Sequence, residues 1–483
     1  NNHNKEVDIT RYFDNAPRTI FDEIISNRKE DALQSLDMIS MSNIDPLAGD
    51  AFEDSEIFDV KQKSVNDVHR DVWIPSEATR KILCITMPGL AIQDDLPDLI
   101  KSASVHFLGE EENIHRNVLT AADVTQDERG LRNLIQAGCY KAAVNLSARL
   151  LIVYAQGYGK MNHPSKHSPH SLQLWFTRLA LLTKLRQVDI LENEAKAFGD
   201  LDKPDMYFAF YPELYGTRPG SMASFAFRLL LAEIPLYCGK PKQALDCLYK
   251  LLATVNKIIA NFTNGLTGDG VQAKLSTEEQ EDAIRLWQGR KCRILISIVN
   301  CTVIARNYVV AIEILEMICT SFSWAPEQLD ALNSNLGRIY LLLGDVLHAK
   351  KLLVDDNEQN NSTSVRRLTD MGLIAVAQNN FQEAYKYFQA ASVMDPANIT
   401  LVNNMAVCLL YTGQLKEAVH LYENTIAKNP VKSLQEPILL NMCTSYELHT
   451  THCKQTKLHL LRQLNRYKGD AVDVQCLKLA LQL

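Results

Sequence analysis

Residues 371–430 read MGLIAVAQNNFQEAYKYFQAASVMDPANITLVNNMAVCLLYTGQLKEAVHLYENTIAKNP, and the second half repeats the first. Met371, Gly372, Ala384, Phe388, Ala391 and Pro396 line up with Met405, Ala406, Ala418, Tyr422, Thr425 and Pro430 at a constant offset of about 34 residues, a period that marks stacked supersecondary units. Within the unit 365–398, Leu368, Met371 and Ala375 form one apolar face of a first helix, and Ala384, Phe388 and Ala391 one face of a second. Small residues at Gly372 and Ala384 let the two helices approach closely. Asn379 and Asn380 supply the turn, because Asn tolerates the left-handed conformation that ends a helix. Pro396 stops the second helix, since it lacks an N–H and clashes with the preceding turn. In the unit 399–432 Gly413 takes the turn role.

The period and pattern resemble the tetratricopeptide repeat (TPR), and the spacing predicts further units on both sides. Leu336-Gly337, Tyr340, Gly344-Asp345, Ala349 and Leu353 define 330–363. Weaker units fall at 292–325 (Asn307-Tyr308, Ala311, Leu315), 225–258 (Gly239, Ala244, Leu248, with Pro235 expected to kink its first helix), 172–205 (Trp175) and 124–157 (Gly138, Tyr140, Ala143). Met442-Cys443 and Tyr446 open one more pair beyond Pro437. The expected fold is all-α, a right-handed solenoid of about eight hairpins with a concave groove, because no hairpin buries its apolar face alone.

The expected organisation is an acidic N-terminal segment at 1–76, a helical lead-in at 77–123, degenerate hairpins at 124–260, a flexible loop at 261–280, the repeat array at 281–470 and a C-terminal helical tail at 471–483. Residues 1–76 hold 16 acids against 8 bases and one amphipathic helix pattern, Ile20, Ile24, Ile25, Ala32, Leu33 and Leu36. That pattern reads equally as a docking segment or as a cap for the solenoid. Residues 206–224 break the repeat rhythm with five aromatics, which dock on the solenoid or meet a partner.

Composition bounds the function. A hydrophobic share of 46% supports a large core, and a net charge of −7 leaves no basic field for nucleic acid or an anionic membrane. The longest apolar stretch, near 294–304, is interrupted by Ser297 and Asn300 and is too short for a bilayer span, so no membrane insertion is expected. Eleven scattered Cys without a Cys-x-x-Cys pair read as reduced, cytosolic core residues. The chain opens on Asn1-Asn2-His3-Asn4, without Met or an apolar leader, which reads as no secretory signal and as a hint of sequence upstream.

No catalytic pattern assembles. His163, His167 and His170 are read as a solvated loop rather than a metal site, and His449, His452, Cys453 and His459 lack an acidic supporting shell. Gly265, Gly268 and Gly270 resemble a phosphate loop only superficially, with no preceding strand and no Gly-Lys-Ser/Thr. No cofactor, metal or small-molecule substrate is expected, and no enzyme. What an array of this kind offers is surface. The groove positions of the two clearest units are Arg366, Thr369, Asp370 and Leu373, then Thr400, Asn403, Asn404 and Val407, with Val376, Leu410 and Tyr411 added. Arg366 beside Asp370 makes a poor anion clamp. The candidate partner-binding residues are therefore Arg366, Thr369, Leu373, Val376, Asn403, Val407, Leu410 and Tyr411, an apolar and amide face suited to a folded or helical partner. A cochaperone-type peptide-binding module is the alternative.

Stretches outside the generic repeat positions carry a sharper resemblance: Trp73-Ile-Pro-Ser-Glu77, Met87-Pro-Gly-Leu-Ala91, Phe210-Tyr-Pro-Glu-Leu-Tyr215, Pro219-Gly-Ser-Met222, Asn404-Met-Ala-Val-Cys-Leu-Leu-Tyr411 and Gln475-Cys-Leu-Lys-Leu-Ala480. Over roughly 73–480 the chain resembles the TPR-containing subunit-twelve family of the TRAPP (transport protein particle) tethering complex; residues 1–60 carry no such motif. The resemblance implies a non-catalytic scaffold of the metazoan TRAPP III form. It would join large scaffold subunits to a small-subunit core that exchanges nucleotide on a Rab-type GTPase. The implied setting is cytoplasmic, peripheral to the ER–Golgi intermediate compartment and Golgi, in ER-to-Golgi traffic, Golgi organisation and autophagy.

Overall fold

The computed structural model describes residues 71–75, 84–272, 276–353 and 364–479. The amphipathic pattern at 20–36 lies outside the described residues. Among the described residues the chain is helical and forms eight hairpins, preceded by an extended arm and by α1 (Leu99–Leu108), whose first turn is capped by the Asp98 carboxylate.

The first four hairpins are α2/α3 (Glu128–Gln136, Tyr140–Val153), α4/α5 (Pro169–Lys184, Val188–Ala195), α6/α7 (Phe225–Tyr237, Pro241–Thr263) and α8/α9 (Thr277–Ile304, Tyr308–Ser321). Four more follow: α10/α11 (Pro326–Leu343, Val346–Leu353), α12/α13 (Val365–Ala377, Phe381–Met394), α14/α15 (Ile399–Tyr411, Leu415–Lys428) and α16/α17 (Glu436–His449, Lys454–Tyr467). Helix starts follow local chemistry. Ser276 and Glu279 form a reciprocal capping box on α8, and the Ser364 side chain accepts from Arg367 N on α12. The unit expected at 292–325 starts earlier than its repeat pattern, because α8 extends back to that box at Thr277. Pro235 sits inside the last turn of α6, two residues from its end.

Seven of the eight inter-helix turns share one device. Gly138, Arg186, Gly239, Arg306, Gly344, Asn379 and Gly413 each hold positive φ between the helices of their hairpins, the conformation expected of Asn379 and Gly413. The small residues do what close packing requires: a Cβ on Gly372 would meet the Phe388 ring at 2.4 Å, and one on Gly337 would meet Leu353 at 2.6 Å. Each pair spans the two helices of one hairpin.

The two ends of the array meet. Helix α17 packs on α1 and on the 3-10 turn Glu110–His115, so the last hairpin adjoins the lead-in to the first. Ile100 and Ala103 of α1 share one buried apolar cluster with residues from 399 to 477. Arg116, almost fully buried, donates to the carbonyls of Asn465 (3.1 Å), Lys468 (3.3 Å) and Gly469 (3.3 Å), satisfying the open C-terminal end of α17, and pairs with Asp98. Asp470 accepts from Lys141 N (3.0 Å) and Ala142 N (2.8 Å), capping α3 from the other end of the chain. Asn465 Nδ2 donates to Glu112 O. The expected open groove is therefore part of an array closed by its own C-terminal segment.

Candidate interaction surface

The eight groove positions separate into two kinds. Thr369 is fully buried and its hydroxyl donates to Val365 O at 2.8 Å. Asn403 is also buried, and its Oδ1 accepts from Tyr422 Oη and Asn441 Nδ2, both at 2.9 Å, tying α14 to α15 and α16. These two hold hairpins together and present nothing to a partner. The reason is that buried polar atoms must find acceptors and donors nearby, and neighbouring helices supply them. Arg366, Leu373, Val376, Val407 and Leu410 are half-buried, and Tyr411 is 67% exposed. The Tyr411 ring stacks on Phe381, with centroids 4.6 Å apart and planes 7° from parallel. An exposed ring fixed this way has little rotamer entropy left to lose on binding.

Asp370 does not sit with Arg366. It is buried, takes Arg338 Nε (3.0 Å) and Nη2 (2.9 Å) and accepts from Ser334 Oγ (2.7 Å), which locks α12 to α10. Arg366 instead donates to Glu327 O at 3.3 Å.

Four of the six sharper motif stretches converge elsewhere, on the first four hairpins, while Asn404–Tyr411 lies in α14 and Gln475–Ala480 at the C-terminal end. Trp73 is buried between Trp287 of α8, centroids 6.2 Å apart, and the Arg228 guanidinium of α6, 4.6 Å from the ring centroid. Asp71 pairs with Arg290 of α8 at 2.5 Å. A Cβ on Gly220 would already touch Val72 at 3.6 Å, so the Pro219-Gly-Ser-Met222 stretch lies directly against the arm. Farther along, Thr86 N donates to Asp205 Oδ2 at 2.7 Å, and His167 Nε2 lies 3.0 Å from Thr86 O. Asn162 N donates to Met87 O, and Ala91 N to Glu194 Oε1, whose carboxylate is held by buried Arg178 at 2.7 and 2.9 Å.

This junction corrects the reading of the histidine loop. His163 is exposed, but His167 is buried, and burial holds its pKa below the ordinary value. His170 faces Glu128 at 2.6 Å. The loop is pinned to the arm rather than solvated. Among the described residues no group of three His, Cys, Asp or Glu side chains is placed to hold a metal ion, and no helix is long and apolar enough to cross a membrane. The aromatic segment 206–224 mostly docks: Tyr207, Phe208 and Met222 are buried, while Phe210 and Leu214 are exposed. Sequence reading missed Arg116, Asp470 and the Arg178–Glu194 pair, which carry no periodic signal.

The tetratricopeptide repeat family model matches residues 375–435. Trafficking protein particle complex subunit 12 of Mus musculus and that of Homo sapiens are each 38% identical to the chain over 435 residues. The match covers 86% of this chain and 54% and 59% of those proteins, so the chain spans a little over half the length of these curated relatives. A solved tetratricopeptide repeat protein from Parabacteroides merdae covers 61% of this chain and is itself 99% covered, at 14% identity and a TM-score of 0.32. The chain is thus an all-helical array among its described residues that carries a tetratricopeptide repeat match at 375–435 and is similar to trafficking protein particle complex subunit 12 over 86% of its length.

Proposed function

We propose that the chain works by binding, as a non-catalytic scaffold subunit of a TRAPP-type tethering complex. The observation that carries this reading is the 38% identity to two proteins named as subunits of that complex. The identity extends over far more of the chain than the generic repeat match at 375–435. The finer reading is the TRAPP III form: the array joins large scaffold subunits to a core acting on a Rab-type GTPase, at the ER–Golgi intermediate compartment and Golgi. ER-to-Golgi traffic, Golgi organisation and autophagy are the processes it would serve.

The docking surface in this reading is the exposed part of the expected groove: Arg366, Leu373, Val376, Val407, Leu410 and above all Tyr411. A rigid, exposed aromatic at the centre of an interface contributes about 2 kcal/mol or more, roughly 30-fold in affinity. The test is affinity purification of tagged full-length protein with Tyr411→Glu, alongside Ile114→Glu as a control at another exposed apolar site. Tyr411→Glu should deplete the large scaffold subunits from the eluate while Ile114→Glu retains them. Full retention by Tyr411→Glu together with Leu373→Glu removes this surface from the proposal, and elution of either protein without any TRAPP subunit removes the function.

A further inference from the structure

Buried polar groups nearly always find partners, but two neighbouring donors at the arm junction do not. Arg228 of α6 is 3% exposed and Trp73 of the arm 6%, yet neither Arg228 Nε nor Trp73 Nε1 has an acceptor. The rest of the guanidinium is engaged. Its Nη1 donates to Asp200 O (3.1 Å) and Asp202 Oδ1 (3.4 Å), and its Nη2 to Leu201 O (3.2 Å) and Ser221 Oγ (2.7 Å). Tyr207 Oη, beside it, donates to Asp202 Oδ1 at 2.9 Å. Other indoles are satisfied: Trp175 Nε1 donates to Gln156 Oε1 and Trp324 Nε1 to Ile318 O.

Arg228 and Trp73 line one cavity of about 70 Å³ between residues 199–202, α6 and α7. A single water needs only roughly 10–15 Å³, so there is room for a small group. The lining dictates its chemistry. The two open donors need an acceptor. The charged lining groups cancel, Arg228 and Lys250 against Asp200 and Asp202, so a carboxylate entering here would be uncompensated while a neutral acceptor would not. Asp200 is exposed, 3.7 Å from Lys250, and its carboxylate can accept an N–H, while Leu231 and Leu251 offer apolar surface to a short aliphatic stem. An acceptor and a donor together on such a stem make a carboxamide.

We propose that this cavity receives the side-chain carboxamide of a glutamine presented by a partner protein, its carbonyl taking Arg228 Nε–H and Trp73 Nε1–H and its amino group donating to Asp200. So few atoms bind weakly alone, so the cavity adds selectivity to a larger interface rather than bulk affinity. It lies on the second and third hairpins and its test needs no TRAPP subunit, so failure here leaves the Tyr411 surface standing.

Full-length protein labelled with nitrogen-15 tryptophan has four indole N–H signals, and Trp73→Phe assigns one of them. Titration with N-acetylglutamine N-methylamide should move the Trp73 signal saturably in the millimolar range and leave those of Trp175 and Trp324 in place. N-acetylglutamate N-methylamide, equal in size but charged, should bind more weakly. Asp200→Asn should narrow that amide-over-acid preference by about two- to fivefold, because it removes one negative charge from the lining. Thr254→Leu fills the cavity from α7, leaves both donors in place and should abolish the response. An equal or stronger response to the glutamate compound makes this an anion site, response to neither leaves the donors to water, and tighter binding of propionamide assigns the cavity to a free small amide. Each of these overturns the proposal, as does an undiminished response in Thr254→Leu.

Discussion

The closure between the two ends of the array rests on few groups and is open to direct test. Asp470 replaces a helix cap: Cys139 precedes α3 without a side-chain cap, and the N–H groups of Lys141 and Ala142 bond instead to the Asp470 carboxylate. Asp470→Ala leaves two buried donors open. Losing a capping acceptor costs about 1 kcal/mol and stranding a buried N–H about 1–3 kcal/mol more, which gives roughly 2–4 kcal/mol. Arg116→Ala removes three charge-assisted bonds to the end of α17 and falls in the same range, about 2–4 kcal/mol. Gly469→Ala acts by shape, because its Cβ would lie 2.3 Å from Gly138 O, a backbone atom that cannot swing aside. The three changes touch one seam, so their effects should not add. At about 1.4 kcal/mol per decade, 2–4 kcal/mol corresponds to roughly 30- to 1000-fold faster amide exchange where seam opening governs exchange. The acceleration should be confined to α1, the first turn of α3, α17 and residues 468–477, while α8 through α13 keep their protection. Exchange changed less than about threefold at the seam, or accelerated equally throughout the array, would refute the reasoning.

Two further outcomes follow from turns and thiols. Arg186 and Arg306 occupy the left-handed turn position with φ of 54° and 58°, so Arg186→Gly and Arg306→Gly should each stabilise by about 0.5–1 kcal/mol after the entropic cost of glycine is deducted. Gly372→Ala should lower stability by about 1–3 kcal/mol through the Phe388 clash, and scanning calorimetry reads both signs. Thiol labelling at pH 7.4 should modify exposed Cys84 first. Burial pushes Cys139 and Cys301 up to about 11 and Cys292, Cys408 and Cys443 to about 12, leaving thiolate fractions below about one in a thousand. Rapid modification of Cys301 in the intact protein would contradict the burial assigned to α8.

The hairpins were legible because their signal is local and periodic. Gly372 against Phe388, Gly337 against Leu353 and the left-handed Asn379 are each set by residues within about half a repeat of one another. Arg186 and Arg306 occupy the same left-handed turn position without a Gly or Asn there. The groove was only partly legible. Thr369 and Asn403 hold positions that face outward in a generic repeat, but the bonds to Val365, Tyr422 and Asn441 turn them inward. His167 misled for a related reason: its loop sequence is polar, and what buries it is an arm roughly 80 residues earlier in the chain.

Closure changes what kind of partner contact the array can make. An open solenoid exposes the apolar faces of its terminal repeats and needs polar caps to stay soluble. Here α17 covers α1, and Arg116 and Asp470 satisfy the helix ends that would otherwise stay open. A partner therefore cannot extend the stack by adding a helix at either end unless it first breaks the seam, at a cost of about 2–4 kcal/mol, a loss of roughly 30- to 1000-fold in affinity. Binding to the inner face or the turn edges carries no such penalty. The Tyr411–Phe381 stack lies at a turn edge, between the end of α14 and the start of α13. If docking uses that surface, Asp470→Ala should leave partner affinity nearly unchanged while Tyr411→Glu weakens it by roughly 30-fold or more. If docking uses the ends, Asp470→Ala should tighten binding by up to the energy of the broken seam. Titration of the two full-length variants against the same partner subunit distinguishes these outcomes by sign.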